Sequence, residues 1–190
     1  MLPWLSDSEG FYLAKMVKTA ETEKIKQNMP PDGRTVIKPF KKVKTALYSV
    51  ISNFGIDEDA LASMKYADHG KKLYMVSGDW DDERTGIYDR IGLKLGAYEK
   101  SEQVILNSIA AQALAPLLTK GIIDLDDPVE LRTYMEGGIV KLYASNERTS
   151  GAERQVVIRT GGEVIGTGVV TERGLKSQFP RGHRNQNFRF

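Results

Sequence analysis

Residues 154–170, RQVVIRTGGEVIGTGVV, constrain the fold of this chain most strongly. Two runs rich in β-branched residues flank Gly161 and Gly162, and a glycine pair between such runs predicts a β-hairpin with a tight turn. An isolated two-stranded hairpin is only marginally stable in water. We therefore expect this hairpin to lie on the body of its own chain or on a neighbouring subunit, which makes it a candidate interface arm.

The residues before the hairpin show mostly helical spacing of apolar side chains. Capping boxes begin two of the predicted helices, and Gly55 ends the clearest one, which starts at Pro39. The predicted helices cover residues 6–28, 39–54, 57–66, 84–98, 101–118 and 127–145. Leu73–Val76 is consistent with a short strand. The pattern predicts a mainly α protein with a multi-helix body (1–148), a C-terminal β-hairpin arm (149–172) and an extended basic tail (173–190).

Composition excludes several classes of protein. The chain has no cysteine, which rules out disulfides, thiolate metal sites and a cysteine nucleophile. No run of 18 apolar residues is present, so we expect no membrane span. Residues 1–10, MLPWLSDSEG, lack the basic start and apolar run of a signal peptide. We expect a protein that is neither secreted nor membrane-bound and works in an aqueous interior compartment or in a particle assembled there.

No stretch of the sequence carries a convincing catalytic motif. The glycines after residue 160 are not followed by the lysine of a phosphate-binding loop or by the helix of a dinucleotide fingerprint. His69 stands beside Asp68, but adjacent residues do not form a catalytic triad, and no nucleophile elbow is present. The carboxylates of Asp79–Glu83 lack the ligand ladder of a calcium loop. We therefore expect no catalytic, cofactor-binding or metal-binding residue, and no enzymatic activity.

Residues 47–64 have the outline of a helix-turn-helix, with two helical segments around the turn at Gly55. In such DNA readers the early residues of the second helix face bases and phosphates. Here these residues are Asp57, Glu58 and Asp59, whose charges oppose binding to a polyanion. If the segment contacts nucleic acid, the sequence favours the lysines of the first helix, Lys38, Lys41, Lys42 and Lys44.

The C-terminal segment from Arg173 to Phe190 contains five Arg or Lys residues and no carboxylate. Arginines interleaved with aromatic rings suit two different partners, a single-stranded nucleic acid or the surface of another protein subunit with acidic turns. The candidate interface residues are Arg173, Lys176, Phe179, Arg181, Arg184, Phe188, Arg189 and Phe190 in the tail, and Asp79, Asp81, Asp82, Glu83, Asp126 and Asp127 in the acidic segments.

Residues 101–145, SEQVILNSIAAQALAPLLTKGIIDLDDPVELRTYMEGGIVKLYAS, followed by the arm at 154–190, resemble the connector or neck proteins of tailed-phage particles, which are head–tail adaptor-like virion proteins. Residues 101–145 look like the paired body helices of such subunits. The resemblance implies a homo-oligomeric ring whose tail docks on a portal or tail subunit, in the virion or the host cytoplasm. Small terminase subunits are the closest competing resemblance.

The leading hypothesis is a non-enzymatic assembly subunit of a viral particle that forms a ring or lattice through its hairpin and tail. The alternative is a nucleic-acid-binding or genome-packaging module. The first predicts self-association, and the second predicts binding that weakens with salt.

Overall fold

The computed structural model describes residues 19–20, 35–80, 91–141 and 154–184 of the chain. The chain divides into two units, Met1–Pro30 and Pro31–Phe190. Every helix and strand described below belongs to the second unit. Of the helix predicted for residues 6–28, the structure describes only residues 19–20, which are not helical, and the rest lies outside the described residues.

The first sheet has five antiparallel strands in sequence order, each hydrogen-bonded to the next. Its strands are β1 (Ile37–Pro39), β2 (Lys65–His69), β3 (Lys72–Val76), β4 (Leu93–Tyr98) and β5 (Val104–Leu106). The predicted strand at Leu73–Val76 is confirmed as β3. Because each strand pairs with its neighbour in the sequence, short turns suffice to connect β2 with β3 and β4 with β5.

The second sheet also has five strands, in the spatial order β6-β8-β9-β10-β7. Its strands are β6 (Ile122–Asp124), β7 (Ile139–Val140), β8 (Arg154–Thr160), β9 (Glu163–Thr171) and β10 (Gly174–Ser177). Strand β6 runs parallel to β8, and the other pairs are antiparallel. The hairpin β8–β9 and strand β10 therefore form the middle of this sheet, and β6 and β7 form its edges.

Four α-helices lie between these strands. They are α1 (Phe40–Phe54), α2 (Glu58–Ala62), α3 (Ser108–Ala113) and α4 (Pro128–Met135). Two single 3-10 turns, Ala115–Leu117 and Arg181–His183, complete the regular structure of the described residues.

Local signals in the sequence explain where three of the helices begin or end. Gly55 ends α1 in the left-handed conformation, with φ of 62°, which glycine adopts without steric cost. Asp57 accepts a hydrogen bond from the amide of Asp59 at the start of α2, and Asp127 accepts two from the first turn of α4. Pro128 follows Asp127 at the first position of α4, where its missing N–H has no partner to lose. These predicted caps are confirmed.

Two main hydrophobic cores hold the unit together. The first lies between α1 and the first sheet, and Val157 of β8 also joins it. The second lies between α4 and the other face of the second sheet, around Tyr134. The helical spacing of apolar residues on α1 predicted a buried stripe at Val43, Ala46, Leu47, Val50, Ile51 and Phe54. Val43, Leu47, Val50 and Phe54 are buried together with Phe40, and Ala46 and Ile51 are partly buried.

The prediction of a mainly α protein is wrong, because the chain is an α+β fold with two five-stranded sheets. Residues 93–98, predicted to be helical, form β4, and the helix predicted for 101–118 is divided into β5, α3 and a 3-10 turn. At Gly96 a Cβ atom would lie 2.1 Å from the carbonyl oxygen of Ile105. Strands β4 and β5 therefore approach so closely there that only glycine fits.

The hairpin turn at Gly161–Gly162 is confirmed, since Thr160 pairs with Glu163 across it. The hairpin lies on the body of its own chain, which is one of the two arrangements expected from the sequence, and it is part of a five-stranded sheet rather than a separate arm. Val156, Val157 and Ile158 of β8 are all 0% exposed, because each face of the sheet packs against the same chain. The tail is also not separate from the body, since its first residues form β10, in which Leu175 is 0% exposed.

Candidate functional site

The chain that follows β10 is anchored to the second core at Ser177 and Phe179. The hydroxyl of Ser177 donates a hydrogen bond to the carbonyl oxygen of Tyr134 (2.6 Å) and accepts one from the amide of Phe179 (3.0 Å). The ring of Phe179 packs edge-on against Tyr134, with 5.7 Å between ring centroids. Phe179, an interface candidate in the sequence, therefore contacts the core of its own chain.

Between Ser177 and Phe179, Gln178 joins a polar junction between the two sheets. The side-chain amide of Gln155 donates to Gln178 Oε1 (2.9 Å) and to the carbonyl of Leu106 (2.8 Å), and it accepts from the amide of Leu106 (3.0 Å). Ser108 Oγ donates to the carbonyl of Gln178 at 3.2 Å. Burial makes the bonds between Gln155 and Leu106 obligatory, and with the bonds to Gln178 they hold the end of β10 relative to β5 and α3.

Residues 180–184 form a small closed loop. The amide of His183 donates to the carbonyl of Pro180 (3.0 Å), and the amide of Arg184 donates to the carbonyl of Arg181 (3.3 Å). Arg184 Nε donates to the carbonyl of Phe179 at 3.0 Å. The side chain of Arg184 therefore binds its own chain and closes the loop.

Five basic side chains lie exposed on and around β10 and β7. We call Lys141, Arg173, Lys176, Arg181 and His183 the C-terminal basic surface. Each of these side chains lacks an ion-pair partner within the part of the chain that the structure describes. The positive charge of this surface is therefore available to a partner molecule.

Strand register places apolar groups beside these charges. Lys176 is paired with Ile139 of β7 on one side and with Val169 of β9 on the other, so the three side chains share one face of the sheet. Ile139 is 44% exposed, and Lys141 lies two residues beyond it. The carboxylates that neighbour this surface in the sequence are Glu136 and Glu172, both exposed at its margins.

The acidic interface candidates have separate positions and roles. Asp127 caps α4, and Asp126 accepts a hydrogen bond from the amide of Gly161 at 3.1 Å, so both stabilise turns of their own chain. Asp79 is exposed at the end of a described segment. The remaining candidates lie outside the described residues: Asp81, Asp82, Glu83, Phe188, Arg189 and Phe190.

Of the four lysines predicted to contact nucleic acid, Lys38 lies in β1 and the other three lie on α1. Lys38 forms an ion pair with Asp68, and Lys44 forms one with Glu58 at 2.5 Å. Lys41 and Lys42 are exposed and have no ion-pair partner among the described residues. Helix α2 contains only five residues, which is too short for a recognition helix lying along a major groove.

The titration properties of the site follow from burial. Burial raises the pKa of the Tyr134 phenol well above its ordinary value, and the positive charge of Arg184 partly opposes this effect. Tyr134 therefore stays protonated and donates its hydroxyl to the carbonyl of Thr167 at 2.8 Å. At the opposite edge of the sheet, the hydrogen bond and charge of Arg159 lower the pKa of Asp124. These groups stabilise the sheet that carries the basic surface.

Sequence reasoning missed Lys141 and the positions of the polar junction. Lys141 comes beside Lys176 only through the pairing of β7 with β10, which joins residues about 35 positions apart. The alternation of Leu175, Lys176 and Ser177 is a strand signal that could have indicated an outward-facing Lys176.

No protein-family model matches this sequence, and no curated protein matches it either. Within the described residues, no helix is long and apolar enough to cross a membrane. In the same residues, no group of three or more His, Asp or Glu side chains is placed to hold a metal ion.

Proposed function

We propose that this chain is a nucleic-acid-binding module and that the C-terminal basic surface is its binding site. The single observation that carries the proposal is the set of exposed Lys and Arg side chains on β10, just after β7 and in the loops beside β10 that lack ion-pair partners in the described residues. Lys38 and Lys44 differ from them, because each already pairs with a carboxylate.

The arrangement suits a phosphate backbone for two reasons. The cations stand on or beside a sheet and on a loop anchored by Ser177 and Phe179, so little backbone entropy is lost when they bind. The exposed apolar side chain of Ile139 lies beside Lys176, so a base or sugar can contact it while phosphates contact the lysines. Three to four phosphate contacts would make log affinity fall against log salt with a slope of about −2 to −4.

The test measures binding of fluorescein-labelled oligonucleotides to the full chain by fluorescence anisotropy. Single-stranded RNA, single-stranded DNA and duplex DNA are each titrated at several salt concentrations between about 50 and 200 mM. The double variant Arg173→Ala, Lys176→Ala should weaken binding and make the salt slope less negative by about 1.5 to 2.

A matched control is the double variant Lys71→Ala, Lys72→Ala. It removes the same charge from two exposed positions at the turn between β2 and β3 of the other sheet. We expect its salt slope to stay within about half a unit of the native value, because no phosphate contact is lost there. Absence of binding at low salt, a flat salt response, or an equal effect of the control would contradict the proposal.

A second candidate function is self-assembly, the leading hypothesis from the sequence. It is favoured by exposed apolar side chains at sheet edges, Ile139 on β7 (44%) and Val36 just before β1 (60%). The test of this edge is Ile139→Glu, which places a negative charge on it. Light scattering of the native chain should then show an oligomer that the variant loses, and a strict monomer would rule out self-assembly.

A further inference from the structure

The loop at 180–184 holds two arginines in contrasting environments, although they are only three residues apart. Arg181 is exposed and has no side-chain partner among the described residues. Arg184 is partly buried and donates Nε to the carbonyl of Phe179 at 3.0 Å. The sequence alone gave both residues the same role as interface candidates.

Gly137 explains why Arg184 can lie where it does. A Cβ atom on Gly137 would lie 2.5 Å from both Cζ and Nη1 of Arg184, so the guanidinium lies directly against the backbone after α4. Gly137 also has φ of 87°, a conformation that favours glycine. Arg184 therefore bridges Phe179 after β10 and the turn before β7.

The tip of the loop is open, in contrast to its closed end. A Cβ atom on Gly182 would meet nothing within 4 Å, so the backbone between Arg181 and His183 is accessible from outside. The start of the loop is fixed by Phe179 against Tyr134, and its end is fixed by Arg184. Arg181 is therefore presented to solvent on a loop that is held on both sides.

We propose that Arg181 is a phosphate-contacting residue of the module and that Arg184 is a positioning residue that holds the loop in its binding conformation. This inference rests on the proposed nucleic-acid-binding function. Arg181 supplies a planar guanidinium with several donors for phosphate oxygens. Arg184 lowers the cost of binding, because the loop does not have to be ordered when the nucleic acid arrives.

Charge-conserving and charge-removing variants separate the two roles. A lysine at position 184 keeps the positive charge but lacks the Nε donor and the planar group that fits over Gly137. We expect Arg184→Lys and Arg184→Ala both to weaken binding about three- to tenfold through the cost of ordering the loop, with an unchanged salt slope. We expect Arg181→Ala to make the slope less negative by about one, as the loss of one phosphate contact requires.

The binding probes are the labelled oligonucleotides used for the proposed function, with the full chain and melting temperatures as a control for folding. If Arg184→Lys binds like the native chain while Arg184→Ala loses about one unit of slope, Arg184 is itself a phosphate contact and the inference is wrong. If Arg181→Ala changes neither affinity nor slope, Arg181 is not a contact and the inference is also wrong.

Hydrogen exchange without nucleic acid tests the positioning role separately. The amides of His183 and Arg184 are bonded within the loop, to the carbonyls of Pro180 and Arg181. Both should exchange faster in Arg184→Lys than in the native chain, and at the native rate in Arg181→Ala. Faster exchange without any oligonucleotide binding would leave the positioning role supported and reject both the phosphate contact and the proposed function. Unchanged exchange in Arg184→Lys would reject the positioning role alone.

Discussion

The side-chain amide of Gln155 makes with Leu106 the two hydrogen bonds that a neighbouring strand would make. Its oxygen accepts from the amide of Leu106 at 3.0 Å, and its nitrogen donates to the carbonyl of Leu106 at 2.8 Å. Gln155 is 7% exposed and Leu106 is 2% exposed. Water therefore has little access to these groups, and the substitution Gln155→Leu would leave both backbone groups of Leu106 without partners.

The magnitude follows from the two unsatisfied groups. Each buried backbone donor or acceptor left without a partner costs about 1–3 kcal/mol. The apolar leucine side chain offsets about 1–2 kcal/mol of this loss by its own burial. The result is a range of about 0–5 kcal/mol, and from its middle we expect Gln155→Leu to lower the free energy of unfolding by about 2–3 kcal/mol.

The assay is urea unfolding of the full chain followed by far-UV circular dichroism, with linear extrapolation to water. Gln178→Leu is the matched control, because it removes only the bond between the two glutamine side chains, and Gln178 is partly exposed. We expect the control to cost no more than about 1 kcal/mol. A loss for Gln155→Leu that does not exceed that of the control would refute the reasoning.

Two further predictions concern single residues. Because burial raises the pKa of Tyr134 in the folded state, the unfolded state releases this proton first above its ordinary value near pH 10. Stability should therefore fall there by about 1.4 kcal/mol per pH unit from this residue. Burial also raises the pKa values of Tyr66 and Tyr98, so Tyr134→Phe should reduce the slope of the alkaline unfolding curves by about this amount without abolishing it. It should also cost about 1 kcal/mol at neutral pH through the lost bond to Thr167; an unchanged slope would contradict the assignment. Glu102 has φ of 62°, in the left-handed region, which Asn tolerates better than Glu. Glu102→Asn should therefore raise the free energy of unfolding by about 0.5–1 kcal/mol. A loss of stability on urea unfolding would contradict this prediction.

Local signals in the sequence predicted those parts of the fold that depend on neighbouring residues. Gly55 ends a helix, Asp127 begins one, and Gly161–Gly162 forms a turn through interactions within a few positions of the chain. Such signals identify the ends of elements without any knowledge of what the elements pack against. They therefore remained correct even though the overall fold class was wrong.

The strands that were missed depend on distant partners. Ile91, Leu95 and Tyr98 fit helical spacing, but Leu93, Leu95 and Ala97 fit the alternation of a strand equally well. The decision between the two comes from pairing with β3 and β5, which no local window contains. For short apolar segments, periodicity alone does not separate a strand from a helix.

Only part of the candidate site could be predicted from the sequence, because the sequence shows which side chains are charged but not which of them the fold leaves without an ion-pair partner. The sequence shows Lys38 and Arg181 as equivalent cations, but Asp68 of β2 neutralises the first through strand pairing, while the second stands at an exposed loop tip. The sequence also shows Arg181 and Arg184 as equivalent. Gly137, 47 positions before Arg184, provides the space in which the Arg184 guanidinium packs against the backbone of its own chain. A nucleic-acid surface therefore depends on which cations the fold leaves without partners. Among the described residues, the proposed surface uses the unpartnered cations on β10, just after β7 and in the loops beside β10, while Lys41 and Lys42 on α1 are also without ion-pair partners.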